Sequence, residues 1–457
     1  MRVKKISVTR LFGLFDHHVP LNVRDRVSLI YGPNGYGKTT LLRLVNDFFA
    51  GRYQRLLRVP FRNLTIDLDD RSSIEVVRVD TQLPGKTKES SGLTITHKKE
   101  KSEQHTTIPG FSFESLGISP HWVERAVPFL TREGPTQWSD DRTGEILELE
   151  DVTRQFGHLL SGTAASKIVA SQEPDWLAEL RRALPVHLIE SQRLLRMNTN
   201  RVHHEPSEAM RPAVIVYSQE LVKQIKSELA EYATVSQSLD RSFPKRLVEQ
   251  TAGKTSSNAK TLAKLSQQLQ LLENKRNRLT RLGLLEADSE GFDLASYVSN
   301  PALTENVLPV YAATEEQKLR ILENFADKIE ILRSIVDAHF SFKKLQISKE
   351  HGFAFLTNYP GERNAPRQIS LSHLSSGEQH ILVLLFQLLF TIKPKSLILI
   401  DEPEISLHVD WQMAFLSDLQ KITTLNDIDV LIATHAPGII NDRADLTVTL
   451  QGPPEDR

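Results

Sequence analysis

The segment Gly32-Pro33-Asn34-Gly35-Tyr36-Gly37-Lys38-Thr39-Thr40 constrains this chain more than any other, because it meets G-x-x-x-x-G-K-[ST] at every fixed position. Glycines at those places let successive backbone N–H groups close around phosphate. Lys38 then reaches the β and γ oxygens, and the Thr39 hydroxyl can ligate Mg2+. Such a loop needs a strand before it and a helix after it. Val27-Ser28-Leu29-Ile30-Tyr31 supplies the apolar strand, and a helix is expected from about Lys38. The bland alternative is a glycine turn joining a strand to a helix. Asn34, Gly35, Gly37, Lys38, Thr39 and Thr40 are therefore the candidate nucleotide-binding residues of this half of the chain.

Far downstream, Ser396-Leu397-Ile398-Leu399-Ile400-Asp401-Glu402-Pro403 is a continuous apolar run that ends in two carboxylates. A run of this kind suits a strand buried on both faces. It forms a Walker B pattern, with Asp401 placed to hold Mg2+ and Glu402 to polarise the attacking water. Acid pairs at strand ends also occur in ordinary surface turns, so the pattern gains its force from the phosphate loop. About twenty residues earlier, Leu374-Ser375-Ser376-Gly377-Glu378-Gln379 leads into an apolar helix expected from about 378 to 390. Read alone, it is a good helix N-cap with a glutamate in the first turn.

In combination these segments resemble the ABC/SMC superfamily, whose LSGGQ signature is similar to Leu374–Gln379. The resemblance implies that Ser375, Gly377 and Glu378 at the helix N-terminus contact the γ-phosphate of a nucleotide held by the opposite copy. His435, in Leu431-Ile432-Ala433-Thr434-His435-Ala436-Pro437, resembles the switch histidine of the family. Gln192, after Val186-His187-Leu188-Ile189-Glu190-Ser191, resembles the Q-loop glutamine that contacts Mg2+ and water. The implied catalytic set is Glu402, His435 and Gln192, the metal set is Thr39, Gln192 and Asp401, and the cofactors are ATP and Mg2+. Glu404-Ile405-Ser406-Leu407-His408 occupies the D-loop position but departs from the usual form, so only its position carries over.

The wide gap between Lys38 and Ser375 matches heads split by a helical arm better than transporter ATPases. Leu262, Leu265, Leu269, Leu272 and Leu279 follow helical spacing, as do Leu322, Phe325, Ile329, Leu332 and Val336. The turn-rich segment between them suggests an antiparallel helical hairpin or a small bundle. The expected fold is α/β: an ABC/SMC-type ATPase head with mixed β-sheet, formed by residues 1–200 and 343–457 and interrupted by a helical, coiled-coil-like insertion over 205–342. Residues 85–106, rich in Lys, Ser, Thr and Glu, are expected to form a solvated hairpin or a mobile loop.

Arg10–Asp16, Ile189–Arg193, Ser238–Pro244 and Pro403–His408 further resemble prokaryotic AAA/OLD-like ATPases, and most closely the PtuA ATPases of Septu antiphage systems. That resemblance implies a homodimer or higher oligomer through the heads and a separate HNH effector nuclease of the PtuB kind. With only about twenty residues after His435, no nuclease domain is expected on this chain. The alternatives are a RecF/SMC-like repair or chromosome-maintenance ATPase that clamps DNA, and an ATP-bound assembly scaffold with little turnover.

Composition narrows the rest. With 56 basic and 57 acidic residues, no whole-protein field favours nucleic acid or membrane. The basic arm 241–281 is a candidate nucleic-acid contact, or simply a solvated helix face. The absence of cysteine removes thiol catalysis and thiolate metal sites. His17-His18 and His203-His204 lack further ligands at useful spacing. No apolar run approaches the ~20 residues of a membrane span, and no signal peptide is evident. A cytoplasmic protein without a membrane segment is expected.

Overall fold

A computed structural model describes residues 1–81, 90–110, 120–135, 137–141, 146–148, 151–152, 156, 173–191, 195–197, 210–251, 259–286, 307–360 and 366–453. Contacts divide the chain into two compact units, one of residues 1–213 with 391–457 and the other of residues 214–390.

In the first unit, β1 (Val3–Leu11) and β2 (Phe15–Pro20) form a hairpin, followed by β3 (Val27–Tyr31), α1 (Lys38–Ala50) and α2 (Tyr53–Arg58). The strands β4 (Asn63–Leu68), β5 (Ser73–Thr81), β6 (Ser90–Lys99) and β7 (Ser102–Pro109) extend the hairpin into a six-stranded antiparallel sheet of order β2-β1-β4-β5-β6-β7. Its strands alternate in burial, as in β4, where Leu64, Ile66 and Leu68 point inward. The polar stretch after residue 90 is thus a paired hairpin, Lys99 opposite Ser102, and residues 82–89 lie outside the described residues.

Helix α3 (Pro120–Ala126) precedes a small antiparallel sheet of β8 (Leu130–Arg132), β9 (Gln137–Asp140) and β10 (Ile146–Glu148). Then come α4 (Asp175–Ala183), β11 (Val186–Ile189) and the short paired strands β12 (Leu195–Met197) and β13 (Met210–Pro212).

The second unit is dominated by α5 (Ala213–Thr251), α6 (Ala259–Arg281) and α7 (Leu308–His339). The expected antiparallel pairing of the two leucine stripes is not what forms. Leu265 and Leu269 of α6 cluster with Leu308 and Ala312 at the start of α7, while Lys275 meets Glu323 at 2.6 Å and Arg278 meets Asp327 at 2.6 Å. Partners advance together along both helices, so α6 and α7 run parallel. The turn-rich segment between them is long enough to return the chain to the starting end, whereas a tight turn is what an antiparallel pair needs. Antiparallel packing exists between α5 and α7, where Lys318 pairs with Asp240 at 2.8 Å and Lys328 faces Glu228. The insertion is a small helical bundle.

The same unit continues through the antiparallel sheet β14 (Lys343–Ser348), β15 (Gly352–Pro360) and β16 (Pro366–Ile369) into α8 (Ser376–Phe386). Phe353, Phe386, Phe390 and Phe325 pack ring against ring at 5.2 to 5.9 Å, two pairs edge-on and Phe386–Phe390 stacked, and join sheet, helix α8 and α7 into one core.

Back in the first unit, β17 (Leu397–Asp401), α9 (Val409–Asn426), β18 (Asp429–Thr434) and β19 (Thr447–Thr449) complete a five-stranded parallel sheet of order β11-β17-β18-β3-β19. Every residue of β17 and β18 is buried, which explains their apolar runs Leu397–Ile400 and Val430–Ala433. Register aligns Asp401 with Ala433, Ala433 with Ile30, and Thr434 with Tyr31. Segments that follow β3, β17 and β18 therefore leave the sheet at one edge.

Candidate functional site

That edge carries the candidate site, since ligands of parallel α/β sheets bind beyond the carboxyl ends of the strands. The loop after β3 uses two left-handed glycines, Gly35 at φ 87° and Gly37 at φ 79°. A Cβ at Gly37 would also sit 2.6 Å from Leu11 Cδ2, so the buried Leu11 side chain would have to shift to admit one. Gly37 is the N-cap of α1 and points the first turn of the helix at the loop.

Lys38 is buried, and its Nζ donates to the carbonyls of Gly32 at 2.6 Å and Pro33 at 3.0 Å. Burial lowers its pKa, opposed by the charges of Glu402, Glu404 and Asp401. Thr39 Oγ1 donates to Asp401 Oδ1 at 3.0 Å, bringing loop and Walker B strand together. Burial raises the Asp401 pKa, the Thr39 bond lowers it, and neighbouring Glu402 raises it further. Asn34 and Gly35 are exposed at the loop tip, while Thr40 is half-buried and lines a cavity of about 570 Å3 with Phe12, Arg43, Asp47 and Pro60.

Glu402 follows β17 in a left-handed conformation at φ 46°, with its N–H donating to Ala433 O at 2.8 Å. For a glutamate this geometry costs about 1 kcal/mol, and such strain gathers at functional sites. His435 leaves β18 with its ring half exposed, Nδ1 3.7 Å from Glu402 Oε1 and 3.2 Å from Glu404 Oε1. Glu402 and His435, thirty-three positions apart in sequence, thus converge. Gln192 lies outside the described residues.

Two residues that sequence reasoning passed over belong to this neighbourhood. Glu404 is buried and accepts from the Thr434 hydroxyl and the His435 N–H. The third carboxylate in Asp401-Glu402-Pro403-Glu404 was the available signal. His17 is buried too, with Nε2 2.8 Å from the Tyr36 carbonyl in the phosphate loop and its ring stacked 5.5 Å from Phe15. Burial lowers its pKa, and the Tyr36 bond opposes this only in part. The neutral ring then donates Nε2–H to the loop. Period-two alternation in β2, with Phe15, His17 and Val19 inward, was the signal there. No cluster of three or more metal-ligating side chains of the His, Cys, Asp and Glu types occurs among the described residues.

In the other unit, Ser375 caps α8 in a reciprocal capping box. Its Oγ accepts Glu378 N–H at 3.3 Å, and its own N–H donates to Glu378 Oε2 at 2.8 Å. Lys343 Nζ holds both Glu378 oxygens at 2.6 and 2.7 Å. Gly377 is buried in the first turn. The segment is a preformed helix N-terminus whose acidic residue is neutralised locally.

No helix among the described residues is long and apolar enough to cross a membrane. A sequence profile of the AAA ATPase domain family matches residues 1–440. No curated protein matches the chain. Among solved structures, the Smc head domain with an extended coiled coil bound to the C-terminal domain of ScpA from Pyrococcus furiosus is 10% identical, covering 96% of this chain and 91% of that one at a TM-score of 0.31. The SmcHead bound to the C-winged helix domain of ScpA is 9% identical, with coverage of 96% and 92% and a TM-score of 0.35. An Smc head domain with a coiled coil and joint from Pyrococcus yayanosii is 12% identical, with coverage of 98% and 94% and a TM-score of 0.30.

Proposed function

We propose, from the premise that this chain belongs to the AAA ATPase domain family, that it binds ATP with Mg2+ in the loop Gly32–Thr40, hydrolyses it, and pairs head to head with a second copy while ATP is bound. The reading rests on the common edge of β3, β17 and β18, where Lys38, Thr39, Asp401, Glu402 and His435 meet.

Lys38 exchanges its two loop carbonyls for β and γ phosphate oxygens, an exchange helped by the surrounding carboxylates that keep it charged. Thr39 Oγ1 and Asp401 Oδ1 are adjacent hard oxygen donors, which fits Mg2+. Bound Mg2+ supplies charge neutralisation at the phosphates. Glu402 orients the attacking water, His435 senses the γ-phosphate beside it, and Gln192 is assigned to the metal and water side. Ser375, Gly377 and Glu378 present the N-terminus of α8 to the nucleotide of the opposite copy, as the LSGGQ resemblance implies. Closure on ATP and reopening after hydrolysis make the head a conformational switch.

Control of a separate HNH nuclease in antiphage defence is the biological role we attach to this switch, on the strength of the sequence resemblance. Because Lys275, Arg276 and Arg278 are engaged by acids of α7, any nucleic-acid contact along 241–281 falls to cations other than these three.

Lys38→Ala is expected to abolish ATP binding. Glu402→Gln should bind ATP, lose turnover by about 100-fold or more, and accumulate as ATP-bound dimers in light scattering. Wild-type turnover in Glu402→Gln refutes the assignment. Purification with the products of neighbouring genes tests the effector: an HNH nuclease in the complex supports the defence role, and a lone dimer retaining DNA favours a clamp.

A further inference from the structure

Glu404 sits on the turn after β17 with only 5% of its side chain exposed, and beyond its share in the negative charge around Lys38 the hydrolytic scheme above gives it no role. Its bonding is one-sided. Oε1 accepts the Thr434 Oγ1–H at 2.7 Å and the His435 N–H at 2.9 Å, and lies 3.2 Å from His435 Nδ1. Thr434 Oγ1 in turn accepts the Ala436 N–H at 3.0 Å. Oε2 is buried and has no hydrogen-bond partner. The Thr434 hydroxyl and the N–H groups of His435 and Ala436, in the turn that projects His435 from the end of β18, therefore lead, directly or through Thr434, to a single carboxylate oxygen.

We propose that Glu404 is the positioning residue of His435, the acceptor that holds the histidine-bearing turn in register with the Walker B strand end. An imidazole half exposed to solvent has few packing contacts to select one orientation, so its placement must come from the turn beneath it. The anchor also explains how two loops move as one. Glu404 and Glu402 lie on the same short segment, with Ile405 N–H donating to Glu402 O and Leu407 N–H to Glu404 O. A shift in that segment carries both the water-orienting carboxylate and the histidine, which keeps Nδ1 near Glu402. Effective catalysis depends on such shared positioning of groups, and the outer partners of metal-ligating histidines, which do the same orienting work, are typically worth about 10- to 100-fold.

The inference rests on His435 serving ATP hydrolysis, and the experiment separates the two. ATPase rates and ATP affinity are measured for the full chain with His435→Ala, Glu404→Ala, Glu404→Gln and the double variant Glu404→Ala/His435→Ala. Glu404→Ala is expected to lower kcat by about 10- to 100-fold with KM within about twofold of wild type. The double variant should be no slower than His435→Ala alone, within about twofold, because one residue acts through the other. Glu404→Gln keeps the Oε1 acceptor and should stay within about threefold of wild type, so it carries the test if the alanine variant does not fold. Normal turnover in folded Glu404→Ala, a loss that multiplies with that of His435→Ala, or a folded Glu404→Gln as impaired as His435→Ala overturns the positioning role. Wild-type turnover in His435→Ala overturns the switch-histidine reading itself and the present inference with it.

Discussion

Asp47, in the third turn of helix α1, gives a prediction whose size follows from its surroundings. Its carboxyl is pushed up from 3.8 to about 6, first by burial and further by the charges of Asp151 and Glu148, against the pull of Arg55 and Arg52. Those guanidiniums are shared: Arg52 lies 3.3 Å from Asp151, and Arg55 lies 3.4 Å from Asp151 and 3.5 Å from Glu148. A carboxyl whose folded pKa exceeds its unfolded value binds its proton more tightly in the folded state. Stability is therefore intact below about pH 4 and is eroded as pH rises through about 6. At ~1.36 kcal/mol per pH unit, the displacement from 3.8 to about 6 amounts to at most about 3 kcal/mol at neutral pH. Asp47→Asn removes the charge at nearly constant volume. It should leave stability unchanged near pH 3 to 4, stabilise by about half the full amount near pH 5, and reach its maximum above about pH 7. For a unit of this size each kcal/mol moves Tm by roughly 2 °C, so a gain of about 5 °C is expected at neutral pH. Melting both proteins across that range by circular dichroism checks it. A pH-independent difference, or a loss of Tm at pH 7, refutes the reasoning.

Lys343→Met leaves the buried Glu378 carboxylate without its cation and should destabilise the unit of residues 214–390 by about 1–3 kcal/mol. ATP-driven association should weaken as well, and adding Glu378→Gln should restore both, because glutamine keeps the acceptor for Ser375 N–H; urea titration and light scattering measure the two effects. Asp427 is held below its usual pKa because the bonds from Arg26 and Arg2 together outweigh the opposing effect of burial, which is the largest single influence. Its contribution is present at neutral pH and lost as pH falls through the lowered value, so Asp427→Asn should cost under about 1 kcal/mol at pH 7 and progressively less as pH falls below the ordinary carboxylate range, read from the same melts.

Much of the site was legible in the sequence because its chemistry is local. The phosphate loop is nine consecutive residues whose spacing encodes the backbone turn, and the β17 and β18 runs announce burial on both faces. Ser375 and Glu378 declare their capping box by a three-residue interval. Glu404 and His17 escaped because their partners lie far along the chain, thirty residues on at Thr434 and nineteen on at Tyr36. A buried acid or histidine reads as solvated until a partner is seen.

The helical arm shows the same division. Leucine periodicity revealed α6 and α7 but not their relative direction, since a stripe of apolar side chains buries equally well against a parallel or an antiparallel neighbour. Ion pairs such as Lys275 with Glu323 and Arg278 with Asp327 make the choice, and they are long-range. By itself, then, the sequence determined where the glycine-rich turn between strand and helix lies, which strands are buried and where helices begin, because backbone geometry and water respond to neighbours a few residues away. Only the tertiary structure decided which carboxylate anchors His435, which histidine steadies the phosphate loop and which cations of the arm are engaged, because burial and charge depend on side chains that folding brings together from distant parts of the chain.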